Sequence, residues 1–222
     1  ASAFGYSNEA SGLASSAVGF RNKAASENAS AIGYGNNAND LAASAVGYNN
    51  TAGGVGSSTI GYNNTATNEN ASAFGYSNEA SGLASSAFGF SNTASGDNAN
   101  AFGYNNIASG SKSNVFGTGN TVSGSSSTAV GTANEVAAEN STAIGNNNTI
   151  SSGAENSAAL GNNISISLKD SVALGNNSTA TAINSVTGNS SYTKWAGVSD
   201  VVGVVSVGSS GATRQIQNVA AG

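Results

Sequence analysis

Large apolar residues recur along this chain every fourteen positions: Phe4, Val18, Ile32, Val46, Ile60, Phe74, Phe88, Phe102, Phe116, Val130 and Ile144. Leu160 and Leu174 continue the series after one two-residue insertion. Each is followed at once by glycine, from Gly5 to Gly175, and is preceded by alanine except at Thr59 and Val115. Three residues after the glycine stands asparagine, from Asn8 through Asn148. Five after it comes a small or branched apolar residue, from Ala10 to Ala180. Between these columns the chain is mostly Ser, Asn and Thr. A disordered Gly/Ser/Asn linker has no physical reason to keep a large apolar residue in phase over so many periods.

Fourteen residues also equal two heptads, but a glycine in every repeat costs a helix about 1 kcal/mol each, and Asn and Ser add to the deficit. Helix-pair repeats need longer units. One turn of a β-solenoid fits: two short strands and two tight turns, with Gly and Asn supplying left-handed backbone at the turns. Stacked Asn side chains can then hydrogen-bond from coil to coil. Thirteen coils at the inter-strand spacing give a rod of about 62 Å. Within Ser2-Ala3-Phe4-Gly5, alternation puts Phe4 on one face and Ala3 with Gly5 on the other. The large column is expected to fill the coil. The flat column of Ala3, Gly5, Ala17, Gly19, Ala31, Gly33, Ala87 and Gly89 is expected to face another chain.

Composition narrows the chemistry. There is no Cys and no His, so neither a thiolate–imidazole pair nor a zinc site of those ligands can be built. Acidic residues are dispersed over the repeats, without the convergent pair that glycoside cleavage needs. Four Asp scattered over a fourteen-residue period do not match the calcium-binding nonapeptide roll. No catalytic, metal or cofactor residue is assigned. A net charge of −5 argues against nucleic acid. No apolar stretch is long enough to span a membrane. The chain opens mid-pattern at Ala1, without a start Met or leader, and reads as a fragment of something longer.

The Ser-Ala-(Phe/Ile/Val)-Gly column every fourteen residues resembles the head repeats of YadA-like trimeric autotransporter adhesins. The C-terminal Val205-Ser-Val-Gly-Ser-Ser-Gly-Ala-Thr-Arg-Gln-Ile-Gln-Asn-Val-Ala-Ala-Gly222 resembles the neck motif of that family. The resemblance implies an all-β, left-handed parallel β-roll, three chains about one axis, and a neck leading to a coiled-coil stalk. It implies a protein exposed at the bacterial cell surface and held by a C-terminal membrane β-barrel outside this chain. Its implied partners are two further copies of itself and collagen, fibronectin, laminin, host glycans or abiotic surfaces. The chain divides accordingly into a head over 1–182, a loop insertion over 183–203 containing the single Trp195, and a neck over 204–222. Neck residues implied to act at the head–stalk junction are Gly208, Arg214, Gln215, Ile216, Asn218 and Gly222.

Two departures from the family pattern stand out. The position three before the glycine, often Val in the family, is mostly Ser, Asn or Thr here. The position after the glycine is aromatic in the first eight repeats and then turns to Thr and Asn. That column, with Tyr6, Tyr34, Tyr48, Tyr62, Tyr76 and Tyr104, could hold a sugar chain or extended peptide, or could stack upon itself or between subunits. An adhesin without chemistry is the leading reading. A polysaccharide-cleaving solenoid would need a carboxylate and Arg/Lys cluster, and six basic residues do not supply one. An ice-binding solenoid would need regular Thr ranks, and Thr51, Thr59, Thr65, Thr93 and Thr118 are read as sharing no column. Several Asn-x-Ser/Thr triplets, such as Asn49-Asn50-Thr51 and Asn63-Asn64-Thr65, are what so Asn- and Ser-rich a chain contains by chance.

Overall fold

The computed structural model describes residues 1–183 and 202–217. Over these the chain is an all-β parallel solenoid, with no helix among the described residues. Each coil supplies one long strand, five residues in Ser2–Tyr6, and one two-residue strand such as Glu9–Ala10. The long strands stack into a 14-stranded sheet and the short ones into a 13-stranded sheet. Register follows the repeat: Ala3 pairs with Ala17, Phe4 with Val18, Gly5 with Gly19. The two-residue insertion is absorbed in a turn, so Ile144 still pairs with Leu160. The Trp195 loop lies outside the described residues, as do Asn218 and Gly222.

The corners are made by residues with positive φ. One row follows the long strand, for example Ser7 at 56° and Asn49 at 53°. The other precedes the next long strand, for example Ala14 at 55° and Asn70 at 55°. Asn is the commonest residue in both rows because, with Gly, it tolerates this conformation best; the second row also carries Ala14, Ala42 and Ala84.

The faces of the long strand are the reverse of the sequence expectation. Ala17, Ala31 and Ala87 are fully buried inside their own coil, while Ile32 is 42% and Ile144 43% exposed. Alanine therefore fills the roll and the large column lies outside it. The cause is the asparagine. After the corner at Ser7 the chain turns back, and the amide of Asn8 folds over Gly5, donating to the carbonyl of Phe4 at 2.8 Å and that of Gly19 at 2.7 Å. Only a residue without a side chain leaves room for that amide. Gly89, at φ 119°, shows the constraint: an added Cβ would overlap the Gly103 carbonyl and crowd the Asn92 amide. Glycine must face inward, and by alternation so must the alanine two residues earlier.

The interior is thus a ladder of amides between columns of methyl groups. From Asn22 to Asn134, each Asn donates its backbone N–H and its Nδ2 to the Oδ1 of the Asn one coil before; for Asn78 onto Asn64 both distances are 3.0 Å. The same Nδ2 reaches the Phe74 carbonyl at 3.0 Å and the Gly89 carbonyl at 2.7 Å. Beside the ladder run Ala24, Ala38 and their successors, enlarging to Val122, Val136, Ile150 and Ile166 toward the C-terminal end. A further inward column mixes Ser and Ala from Ser15 to Ala99 and is Ser from Ser113 to Ser171. Within it Ser127 donates to the Ala138 carbonyl at 2.7 Å, whereas the hydroxyls of Ser85 and Ser113 are buried without a partner.

Two substitutions separate these roles. Asn78→Ala leaves the backbone N–H of Asn92 without its acceptor, while Asn92 Nδ2 keeps the Phe88 and Gly103 carbonyls, and it takes the amide donor away from the Phe74 and Gly89 carbonyls. It is expected to cost about 3 kcal/mol, since each orphaned buried group costs ~1–3 kcal/mol. Ser85→Ala removes an unpartnered hydroxyl from a column where Ala is common and should leave stability unchanged or raise it by up to about 1 kcal/mol. Urea unfolding followed by far-UV circular dichroism measures both.

Candidate functional site

With the alanines turned inward, the outer face of the long sheet carries two parallel apolar columns. One runs from Phe4 to Leu174; the other runs from Tyr6 to Tyr104. The Phe4 column is itself partly stacked, with Phe88 on Phe102 at 4.9 Å and Phe102 on Phe116 at 5.3 Å between ring centroids. The residues expected to pack against other chains, Ala3, Gly5, Ala17, Gly19, Ala31, Gly33, Ala87 and Gly89, occupy the inward face instead. The Ala17, Ala31 and Ala87 methyls are spent inside their own coil and present no surface.

The Tyr6 column is a continuous stack. Tyr34, Tyr48, Tyr62 and Tyr76 follow one another at 4.8–4.9 Å with interplanar angles of 3–4°. Parallel in-register strands impose this spacing on any aromatic column. Each inner ring has both faces covered by its neighbours, so only ring edges and phenol hydroxyls reach solvent. A sugar held flat against ring faces, one of the two ligands considered from the sequence, finds no free face along the stack. From Thr118 onward the column is polar, and Asn146 donates to Asn162 there at 2.8 Å.

The short sheet shows only one outward side chain per coil. Thr51 and Thr65 are paired there, and Thr93, Thr121, Thr149 and Thr179 stand in the same row. Thr51, Thr65 and Thr93 therefore do share a column, contrary to the sequence reading, while Thr59 and Thr118 belong to the long strand. The row is single and is broken by Glu79, Ile107 and Glu135, so it is not the regular double rank of an ice-binding face. Lys23 and Glu9 approach to 3.8 Å in it, both largely exposed. Among the described residues no group of three or more acidic residues could hold a metal ion, and no helix is long and apolar enough to cross a membrane.

The C-terminal segment returns to the roll. Val205–Ser206 forms the fourteenth long strand, pairing with Val172 and Ala173. The Asn ladder has ended by then: Ile164 takes the Asn148 Oδ1 with its backbone N–H at 2.9 Å, and Ser178 occupies the next rung. Arg214 closes that end. Its Nη1 donates to Ser178 Oγ at 3.1 Å and to the Val207 carbonyl at 2.8 Å, and its Nη2 donates to the Asn176 carbonyl. Gly208 accepts from the Thr179 N–H at 2.9 Å, while Gln215 and Ile216 are exposed.

A family model described as the YadA head domain repeat (2 copies) matches residues 1–22, 24–50, 52–78, 80–106, 123–148 and 169–186. The chain belongs to the YadA head family. The family is one of adhesins rather than enzymes. The stretches the repeat model passes over in this YadA head include the change from aromatic to Thr at 118 and the two-residue insertion before Leu160. No curated protein matches the chain.

Arg214→Ala removes three hydrogen bonds from the last rungs. Charged donors are worth ~1.5–3 kcal/mol each against neutral acceptors. The expected result is faster amide exchange confined to the coils from Ala158 onward, with the N-terminal coils unchanged, as nearest-neighbour stability in a solenoid requires. Hydrogen exchange read by mass spectrometry checks it.

Proposed function

We propose that this chain is the head of a bacterial surface adhesin. Three left-handed rolls stand side by side about one axis, with the Phe4 column turned toward that axis and the Tyr6 column at the seams. One observation carries the reading: a line of thirteen large apolar side chains, flanked for eight coils by aromatic rings, on the outside of a single chain. Soluble monomers rarely leave so large a contiguous apolar patch in water. Residues 1–182 form the head and 204–222 the neck, in which Arg214 joins the last coils to the stalk that follows. The protein stands outside the outer membrane, anchored by a C-terminal β-barrel beyond this chain. It attaches without chemistry to repetitive targets such as collagen, fibronectin, laminin or host glycans, or to abiotic surfaces. Six basic residues and no acidic cluster among the described residues favour no enzymatic alternative.

Assembly and folding are separable by single substitutions. Ala87→Leu overfills the coil interior, where even modest overpacking costs ~1–3 kcal/mol, and is expected to lose the β spectrum together with assembly. Phe88→Ser changes only the outer face. It should keep the β spectrum while shifting the mass by light scattering from three chains toward one. A trimer that survives Phe88→Ser and Phe102→Ser together would remove this face from the interface.

Attachment by three copies should depend steeply on target density. Linking sites about one axis raises avidity by ~10²–10⁴ over one site. Retention on a sensor densely coated with fibrillar collagen or fibronectin should therefore greatly exceed binding of the same molecules in solution. The coated ligand should be recovered intact. Retention independent of density, or time-dependent cleavage, would count against the reading.

A further inference from the structure

The Asn-x-Ser/Thr triplets were set aside on composition, but the roll sorts them. Whether a triplet can form is decided by the residue two positions after the asparagine, which the roll turns inward or outward. The eleven ladder asparagines, Asn8 to Asn148, carry none, because the residue two positions later is an inward Ala, Val or Ile. The triplets fall instead on the corners. Asn49, Asn63, Asn147, Asn163 and Asn177 lie in the corner row that follows the long strand. Asn28, Asn70 and Asn140 lie in the other. All eight are exposed, with φ between 51° and 58°.

Their hydroxyl partners are placed as consistently. Thr51, Thr65 and Thr149 sit on the outward row of the short sheet; Ser30, Ser72 and Thr142 sit on the outward edge of the long one. Each is partly exposed, beside its asparagine and clear of the interior. Among the described residues one triplet does not fit: the hydroxyl of Asn176-Asn177-Ser178 is buried and bonded to the Leu174 carbonyl and Arg214; Asn189-Ser190-Ser191 lies outside the described residues.

We infer that the two corner rows are acceptor sites for N-linked glycosylation from a nucleotide-activated hexose. A bulky hydrophilic group needs an exposed acceptor from which it can extend without meeting the coils, and the corners meet that need on consecutive rungs. In the transfer, Nδ2 of the corner asparagine forms a bond to the sugar C1. The bond from C1 to the diphosphate oxygen breaks, and the nucleoside diphosphate leaves with the electron pair. The displaced amide proton passes to a base of the transferase. The inference requires the corners to be exposed in the assembled protein. The attached sugars would hydrate the flanks of a rod with few charges.

Peptide-resolved mass spectrometry tests it on two samples. One is the protein taken from the surface of its native cells. The other is purified chain incubated with UDP-glucose and an N-glycosyltransferase that acts on folded proteins. Expected are whole-hexose increments on Asn49, Asn63 and their row partners, and none on Asn50 or Asn64. In the double variant Thr51→Val and Thr65→Val, which keeps β-branched residues in both strands, hexose should vanish from Asn49 and Asn63 with the melting temperature unchanged. Native protein at its sequence mass, hexose on ladder asparagines, or hexose retained at Asn49 in the double variant would each overturn the inference.

Discussion

A primary amide, repeated once per coil and sealed from water, sets the geometry that the other side chains obey. Asn78 shows why no other residue serves. Its single oxygen accepts both the N–H and the Nδ2 of Asn92, while its own Nδ2 is shared among Asn64 Oδ1, the Phe74 carbonyl and the Gly89 carbonyl. Aspartate would have no donor, serine too short a reach, and glutamine a methylene too many for the space above a glycine. The glycine is small because the amide lies over it, the alanine is inside because the glycine is, and the large apolar residue is outside as the remainder. Buried polar networks of this kind stabilise only when every member is satisfied. The ladder meets that condition along its length and is closed by Ile164, Ser178 and Arg214.

Much of this was legible in the sequence, and the part that was not has a definite cause. The period, the parallel register, the solenoid and the Asn stacking all follow from columns spaced by fourteen. The inside and outside of the long strand did not follow, because hydrophobicity was allowed to decide: Phe4 looked like core and Ala3 like surface. In a coil this thin the rule inverts, since the volume between a five-residue strand and a two-residue strand holds methyl groups and amides but no aromatic ring. The informative signal was the Gly-x-x-Asn spacing, which ties glycine to the asparagine amide and so fixes the parity. The aromatic column was read correctly as able to stack, but only the 4.8 Å spacing reveals that stacking covers the ring faces. Arg214 could be placed at a junction from its motif; its bond to Ser178, across the Trp195 loop, joins residues too far apart in sequence for any local pattern to reveal.

The departures along the rod are coordinated. Where the Tyr6 column turns polar at Thr118, the interior column enlarges at Val122, and Val115 replaces an inward alanine in the same coil. The C-terminal coils thus bury more apolar volume inside and expose less aromatic surface outside. The N-terminal coils have interiors of alanine and expose their larger side chains on the outer sheet. The two regions of one rod therefore divide their apolar residues differently between inside and outside, within an unbroken hydrogen-bonded register.

Sameness from rung to rung also creates a copying problem. Residues 1–17 are identical to residues 71–87, so a folding chain can seat the first coil where the sixth belongs and satisfy every backbone bond and every amide. Strand pairing is blind to such a slip of whole turns, since all inward columns still match. Discrimination falls to the irregular positions: Thr59 and Val115 among the alanines, the extra two residues before Leu160, and Ile164 in place of a ladder asparagine. These residues act as an index along an otherwise uniform ruler. Making the coils more alike would remove the marks by which the chain finds its own place.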